Sequence, residues 1–250
     1  MATSKSFKCN IINVALSALI FSISWQVQAG TKDDIASIQS KLDSKTPPVK
    51  VKSIKATPIH GLYEIFNGSS IIYTDRSFSH VILGGSIIET TNNKNLTEES
   101  IKLLTAIKFA DLPLQNAIEI KKGSGAYKFA VFSDPDCPYC KALESNLDKS
   151  GVTDYTAYIF LYPLKDLHPD ASAKSESIWC AKDKADAWTN LMVKKIEPAK
   201  ANCDNPIKAI EALVESLGVS GTPTIYLSNG QQSQNPQELI FAIKANNKTK

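Results

Sequence analysis

The sequence predicts an α+β chain in two parts, a small antiparallel sheet followed by an α/β domain, and three observations carry that prediction. Residues 49–91 fall into short apolar runs punctuated by turn residues. From Lys128 onward, strand-like and helix-like runs alternate, as they do where helices cover a sheet. At the head of this second part, KFAVFSDPDCPYCKALESNLDKSG joins a strand, a tight turn, a Cys-x-x-Cys pair and a helix in 24 residues, 128–151.

Taken from the start, residues 1–29 read as an export signal. Lys5 and Lys8 give the basic end, Ile11 to Ile23 the apolar stretch, and Val27-Gln28-Ala29 a small-residue cleavage site. The apolar run is interrupted by Asn13 and Ser17 and is too short for a comfortable membrane span. Loss of this segment removes Cys9 and lowers the formal charge of +3 by two. Arg76 is the only arginine and no basic patch stands out, so nucleic acid is not an expected partner. Removal of Cys9 leaves four of the five cysteines for an oxidising compartment.

Ile35, Ile38 and Leu42 space as one face of a short helix that Pro47 and Pro48 end. VKVKSIKATPI, LYEIF, SIIYTD, HVILGG and SIIET then read as strands, with turns at Asn67-Gly68 and Gly84-Gly85. So small a sheet, in an N-terminal domain assigned to residues 30–92, buries too little surface to stand alone. Its apolar strands and edges call for a second copy of the chain. His60 and His80 read as surface or hydrogen-bonded histidines rather than ligands. Asn95 to Ala110 reads as a linker helix within a connector, 93–122, and Lys121 to Gly125 leads into the second part, 123–250.

Within the central run, Lys128 to Ser133 suits a strand and Asp134-Pro135-Asp136 a turn whose carboxylates can cap the next helix. Leu143 and Leu147 continue the helical spacing behind Cys140, and Gly151 stands where a helix end favours a left-handed residue. Cys137 would then lie at a helix N-terminus, where unpaired N–H groups favour a thiolate. Such sites draw a thiol from about 8.5 into roughly the 3.5–7.5 range. Pro138 needs no N–H in the first turn. Cys140, one turn on, is placed to attack a mixed disulfide at Cys137. A zinc site would need two more ligands, and Cys180 and Cys203 form no second knuckle, so no metal or cofactor is expected.

Of the three possible pairings, this reading joins Cys137 with Cys140 as the catalytic pair and Cys180 with Cys203 as a structural one. Tyr155 to Tyr162 reads as a strand, Pro169 to Met192 as a helical insertion, and Pro206 to Leu217 as a helix stopped by Gly218. Val219-Ser220-Gly221-Thr222-Pro223-Thr224 then opens the strand Ile225 to Leu227. A turn at Asn229-Gly230 and a last helix, Pro236 to Asn246, complete the chain. QQSQNPQ lacks an obvious final hairpin strand.

The dithiol resembles the active site of the thioredoxin superfamily. Together with FSDPDCPYC, IWCAKDK and GVSGTPTIYLSNG, the chain resembles the DsbC/DsbG family of periplasmic disulfide isomerases over nearly everything after residue 29. That resemblance implies a thioredoxin-like catalytic domain and a V-shaped homodimer joined through the N-terminal domains. It implies Cys137 as nucleophile, Cys140 as resolving thiol and a structural Cys180–Cys203 bridge. A cis Thr222-Pro223 loop would face the dithiol, with Pro138, Tyr139, Thr222 and Pro223 meeting substrate.

The resemblance further implies a periplasmic protein that rearranges wrong disulfides in misfolded exported proteins, with chaperone-like binding and a membrane thiol reductase of the DsbD type as partner. A DsbG-like reductase of sulfenic acids, a DsbA-like oxidase and a non-enzymatic dimeric holdase are the rival readings. One departure stands out: where thioredoxins carry a buried acid six residues before the first cysteine, this sequence has Val131.

Overall fold

The computed structural model describes residues 23–233 and 235–248, so the expected export signal and Cys9 lie for the most part outside the described residues. Chain contacts divide it into two compact units. One holds the described residues up to Ile65 together with Ile72–Gly85; the other holds Phe66–Ile71 and Ser86 onward.

In the first unit, helix α1 (Ile23–Asp43) precedes strands β1 (Ser53–Ala56), β2 (Leu62–Phe66), β3 (Ile71–Asp75) and β4 (Val81–Leu83), which form an antiparallel sheet in that order. The predicted helical stripe is what packs: Ile38 and Leu42 are buried against Tyr63 and Ile65, with Ile35 and Ile54 at the margin. Arg76 grips both carboxylate oxygens of Asp34, at 3.1 and 2.9 Å, tying the loop after β3 to α1. His80 is exposed and hydrogen-bonds Asp75. Strand β4 pairs with β3 alone, and its other edge has no strand among the described residues.

SIIET does not extend this sheet. Ile88–Glu89 (β5) instead pairs with Lys94–Asn95 (β6) in a separate ribbon, because Ile87 turns its backbone toward the following helix, accepting from Leu96 N and donating to Thr97 Oγ1. That helix, α2 (Leu96–Leu104), is capped by the Asn95 side chain and is shorter than the spacing predicts. It stops at Thr105, and Ile107 N donates to Gly230 O at 2.9 Å instead of continuing the ladder. The approach is close enough that a Cβ on Gly230 would lie 1.8 Å from Ile107 O, and Gly230 has a positive φ.

The second unit is built on a five-stranded sheet. Its strands are β7 (Ile118–Lys122), β8 (Tyr127–Ser133), β9 (Tyr155–Leu161), β10 (Thr224–Leu227) and β11 (Gln232–Ser233), in the order β11-β10-β8-β9-β7. Only β8 and β9 are parallel, in register from Tyr127↔Tyr155 to Ser133↔Leu161. Their connection is α3 (Pro138–Lys149), the dithiol helix. The final hairpin, not evident in QQSQNPQ, does exist: β11 pairs antiparallel with β10, but over only two residues.

Strand alternation sorts the core. Phe129, Val131 and Ile159 face one side, packing with Leu143 and Leu147 of α3, Trp188 of α5 (Lys184–Met192) and Leu239 of α7 (Pro236–Lys248). Ala130, Phe132 and Phe160 face the other side and pack on Ile210 and Val214 of α6 (Ile207–Leu217).

The insertion is two helices, not one. Helix α4 (Ala171–Trp179) ends at Cys180, and α5 begins afresh where the Asp183 carboxylate caps Asp186 N at 2.9 Å. Cys180 and Cys203 are joined by a disulfide, with Cα atoms 5.8 Å apart.

Candidate active site

Both parallel strands run out at the same end of the sheet, and everything the sequence marks as chemical is gathered there or next to it. Beyond β8, Asp134 to Asp136 turn the chain into α3, with Cys137 as its N-cap and Pro138 at the first helical position. Gly151, at φ +72°, follows the other end of that helix. Cys137 therefore meets the unpaired N–H groups and positive pole of a twelve-residue helix.

Cys137 and Cys140 are free thiols. The Cys137 S–H donates to the Thr222 carbonyl at 3.4 Å, and the Thr222–Pro223 peptide is cis, as expected. So two stretches 85 residues apart meet at one sulfur. Pro138 and Tyr139 are exposed beside it, Tyr139 by 75%. Cys140 differs from its neighbour: it is fully buried, and desolvation pushes its thiol up to about 12. At neutral pH it is a protonated thiol that accepts a hydrogen bond from Asp134 N at 3.5 Å.

Asp134 is the fixed point of the turn. Its buried carboxylate receives four N–H donors: Asp136 N and Cys137 N on Oδ1 at 2.7 and 3.1 Å, Leu164 N and His168 Nδ1 on Oδ2 at 2.6 and 3.0 Å. A carboxylate with two oxygens suits four donors, and each one filled leaves no buried charge unmatched. The turn before Cys137 is thereby locked to the loop after β9. Tyr162 N adds a backbone bond to Ser133 O at 2.9 Å.

Next to it, Asp136 is held by Lys174 of α4 at 2.7 Å, with Lys141 at 3.6 Å. The sequence suggests that the turn acids cap the helix, and Asp134 does bond Cys137 N. Its partners Leu164 and His168 lie 30 and 34 residues away and leave no local signal. A groove of about 500 Å³ opens at the same end of the sheet, lined by Tyr162, Leu164 and Leu167 on one wall and Val214 and Val219 on the other.

The arrangement has one thiol at a helix N-terminus and a second, more deeply buried thiol a turn behind it, with a backbone carbonyl against the first. That combination suits nucleophilic attack on sulfur at Cys137 followed by intramolecular release by Cys140. Among the described residues no cluster of His, Cys, Asp and Glu could hold a metal ion.

Both parts of the chain match known protein families. Residues 114–238 match a family described as a thioredoxin-like domain, and residues 28–98 match the disulfide bond isomerase protein N-terminal domain. The chain is 38% identical over 180 residues to a probable thiol:disulfide interchange protein DsbC of Bordetella parapertussis, covering 72% of this chain and 62% of that relative's length. It is 31% identical over 199 residues to the thiol:disulfide interchange protein DsbC of Escherichia coli K12, covering 79% and 80%. Among solved structures, a disulfide interchange protein from Neisseria gonorrhoeae matches at 41% identity with a TM-score of 0.49, covering 52% of this chain and 97% of that one.

Proposed function

Because this chain belongs to the DsbC family of thiol:disulfide interchange proteins, we propose that it is a disulfide isomerase and reductase acting on wrongly paired disulfides of exported proteins. One observation supports this above the others: Cys137 caps α3 against the Thr222 carbonyl while Cys140 waits, buried and protonated, one turn behind.

The reaction follows from that geometry. Cys137, as thiolate, attacks a client disulfide; a Cys137–client disulfide forms and the second client sulfur leaves as a thiolate. A client thiol then displaces Cys137 with a new pairing, or Cys140 displaces the client and leaves it reduced. The Thr222 backbone offers an extended client main-chain partners beside the reacting sulfur. Pro138, Tyr139 and Pro223 flank it, and the groove between Leu164 and Val219 receives neighbouring apolar side chains.

The N-terminal sheet serves as the dimerisation surface. Its edge strand β4 exposes Val81, Ile82 and Leu83 in succession, by 48, 50 and 72%, and such an edge invites a second strand. Residues 1–29 direct the chain to the periplasm and are removed there. Residues 30–92, 93–122 and 123–250 act as dimerisation domain, linker and catalytic domain. A membrane thiol reductase of the DsbD type keeps the dithiol reduced, since isomerisation consumes no oxidant and needs the thiol form.

The test is refolding of a scrambled multi-disulfide protein by the mature chain beside Cys137→Ala. The variant is expected to fall to the uncatalysed rate; equal rates in the two would overturn the proposal. Light scattering tests the assembly: wild type should run as a dimer and Ile82→Lys as a monomer.

A further inference from the structure

Cys140 must carry negative charge while it attacks a mixed disulfide, yet burial raises its thiol to about 12. No carboxylate assists from the strand beneath: Val131 occupies that face of β8, buried in the same cluster as Cys140. Two residues on, the alternation of the strand brings Ser133 to the same side as Phe129 and Val131, the side covered by α3.

Ser133 is buried, and its hydroxyl, like that of Thr222, has no hydrogen-bond partner among the described residues. Nearly all buried polar atoms are paired, so two such hydroxyls beside one sulfur call for an explanation. Neither meets hydrogen-bond geometry with the neutral thiol, but both lie close enough to Cys140 to favour its anion. A thiol sulfur is a weak acceptor and a thiolate a strong one.

We infer that the Ser133 hydroxyl is a catalytic donor for the resolving step, held unpaired in the reduced protein to receive the charge that forms on Cys140. The Thr222 hydroxyl and the Asp134 N–H, already 3.5 Å from that sulfur, complete the set of donors. The inference rests on the thiol exchange proposed above. In the step, Cys140 gives up its proton to solvent and attacks Cys137 Sγ. The Cys140–Cys137 bond forms, the Cys137–client bond breaks, and the electron pair of that bond leaves with the client thiolate, which takes up a proton. Ser133 donates a hydrogen bond throughout and exchanges no proton.

A purely structural serine would behave in the opposite way. Removing a buried hydroxyl that has no partner should leave stability unchanged or raise it. Reduced protein is mixed with oxidised glutathione and two rates are followed: formation of the glutathione adduct at Cys137 and release of the second glutathione by Cys140.

Ser133→Ala should form the adduct at the wild-type rate and melt no lower than wild type. Its second release should be about tenfold slower, the effect of losing one hydrogen bond to a charged group. Combining it with Thr222→Val, which keeps the side-chain shape, should slow release further. Release at the wild-type rate in both variants overturns this inference alone. A wild-type chain that forms no adduct at Cys137 overturns the exchange reading and this inference with it.

Discussion

Cys137 and Cys140 lie within a single helical turn, whereas Cys180 and Cys203 are separated by 23 residues and close the ends of the segment that carries α5. In this structure the first pair is unbonded and the second is bonded. Their side chains are identical, so the difference lies in what surrounds them. Cys137 faces helix N–H groups and a backbone carbonyl, and its partner is a buried thiol that the fold keeps protonated. Cys180 sits at a helix C-terminus, where the carbonyl ends disfavour a thiolate, and its value to the protein is the loop it closes. We propose that one pair breaks and re-forms bonds while the other restrains the chain.

The sharpest way to break this contrast is to exchange the losses. Cys137→Ala should abolish isomerisation and leave the melting temperature near that of wild type. Cys180→Ala combined with Cys203→Ala should do the reverse, keeping the exchange rate while losing roughly 3 kcal/mol of stability for a loop of this length. Denaturant unfolding beside the refolding assay reads both. If the second variant lost its activity while still folded, the division of labour would be wrong.

A smaller effect is expected at the turn that holds Cys137. Asp134→Asn replaces one acceptor oxygen with an NH₂ group that must face N–H donors, costing about 2 kcal/mol or more. His168→Leu removes a single donor and should cost less. Urea unfolding of the two variants gives the order; equal stabilities would mean that the carboxylate does not fasten the turn to the loop after β9.

The alkaline side of the stability curve is the gentlest probe. Burial raises Cys140 and Tyr226 each to about 12. In the unfolded chain these groups ionise near about 8.5 and 10. The folded chain therefore holds protons that the unfolded chain gives up. The stability they contribute is fully present below about pH 8.5 and is lost as pH rises toward 12. Thermal melts of the reduced protein should fall through this window, and Cys140→Ala should fall less steeply. Parallel curves would show that Cys140 is not the buried thiol described.

How much of this is legible in the sequence depends on distance along the chain. The strand–turn–dithiol–helix run and Gly151 are readable because each signal sits beside the element it shapes. Thr222-Pro223 is readable through resemblance to a known loop, although the 85 residues separating it from Cys137 hide the contact itself. Asp134 reads as a capping acid, but its partners His168 and Leu164 come from another strand's end. Ser133 gives no signal at all, because its importance lies in the hydrogen bond that it lacks.

Boundaries fail where tertiary bonds override local spacing. The helix after Asn95 stops early because Ile107 bonds Gly230, and the 169–192 segment breaks because Asp183 caps a new helix. Strand β11 escapes the sequence pattern because two residues carry no alternation to read.

The central claim is that Cys137 attacks first and Cys140 second, and trapping tests it directly. Cys140→Ala, incubated with a protein client carrying a non-native disulfide, should accumulate a client-linked species on a non-reducing gel, and peptide mapping should place the link at Cys137. Cys137→Ala under the same conditions should accumulate none. A client joined through Cys140, or no linked species from Cys140→Ala, would contradict the account.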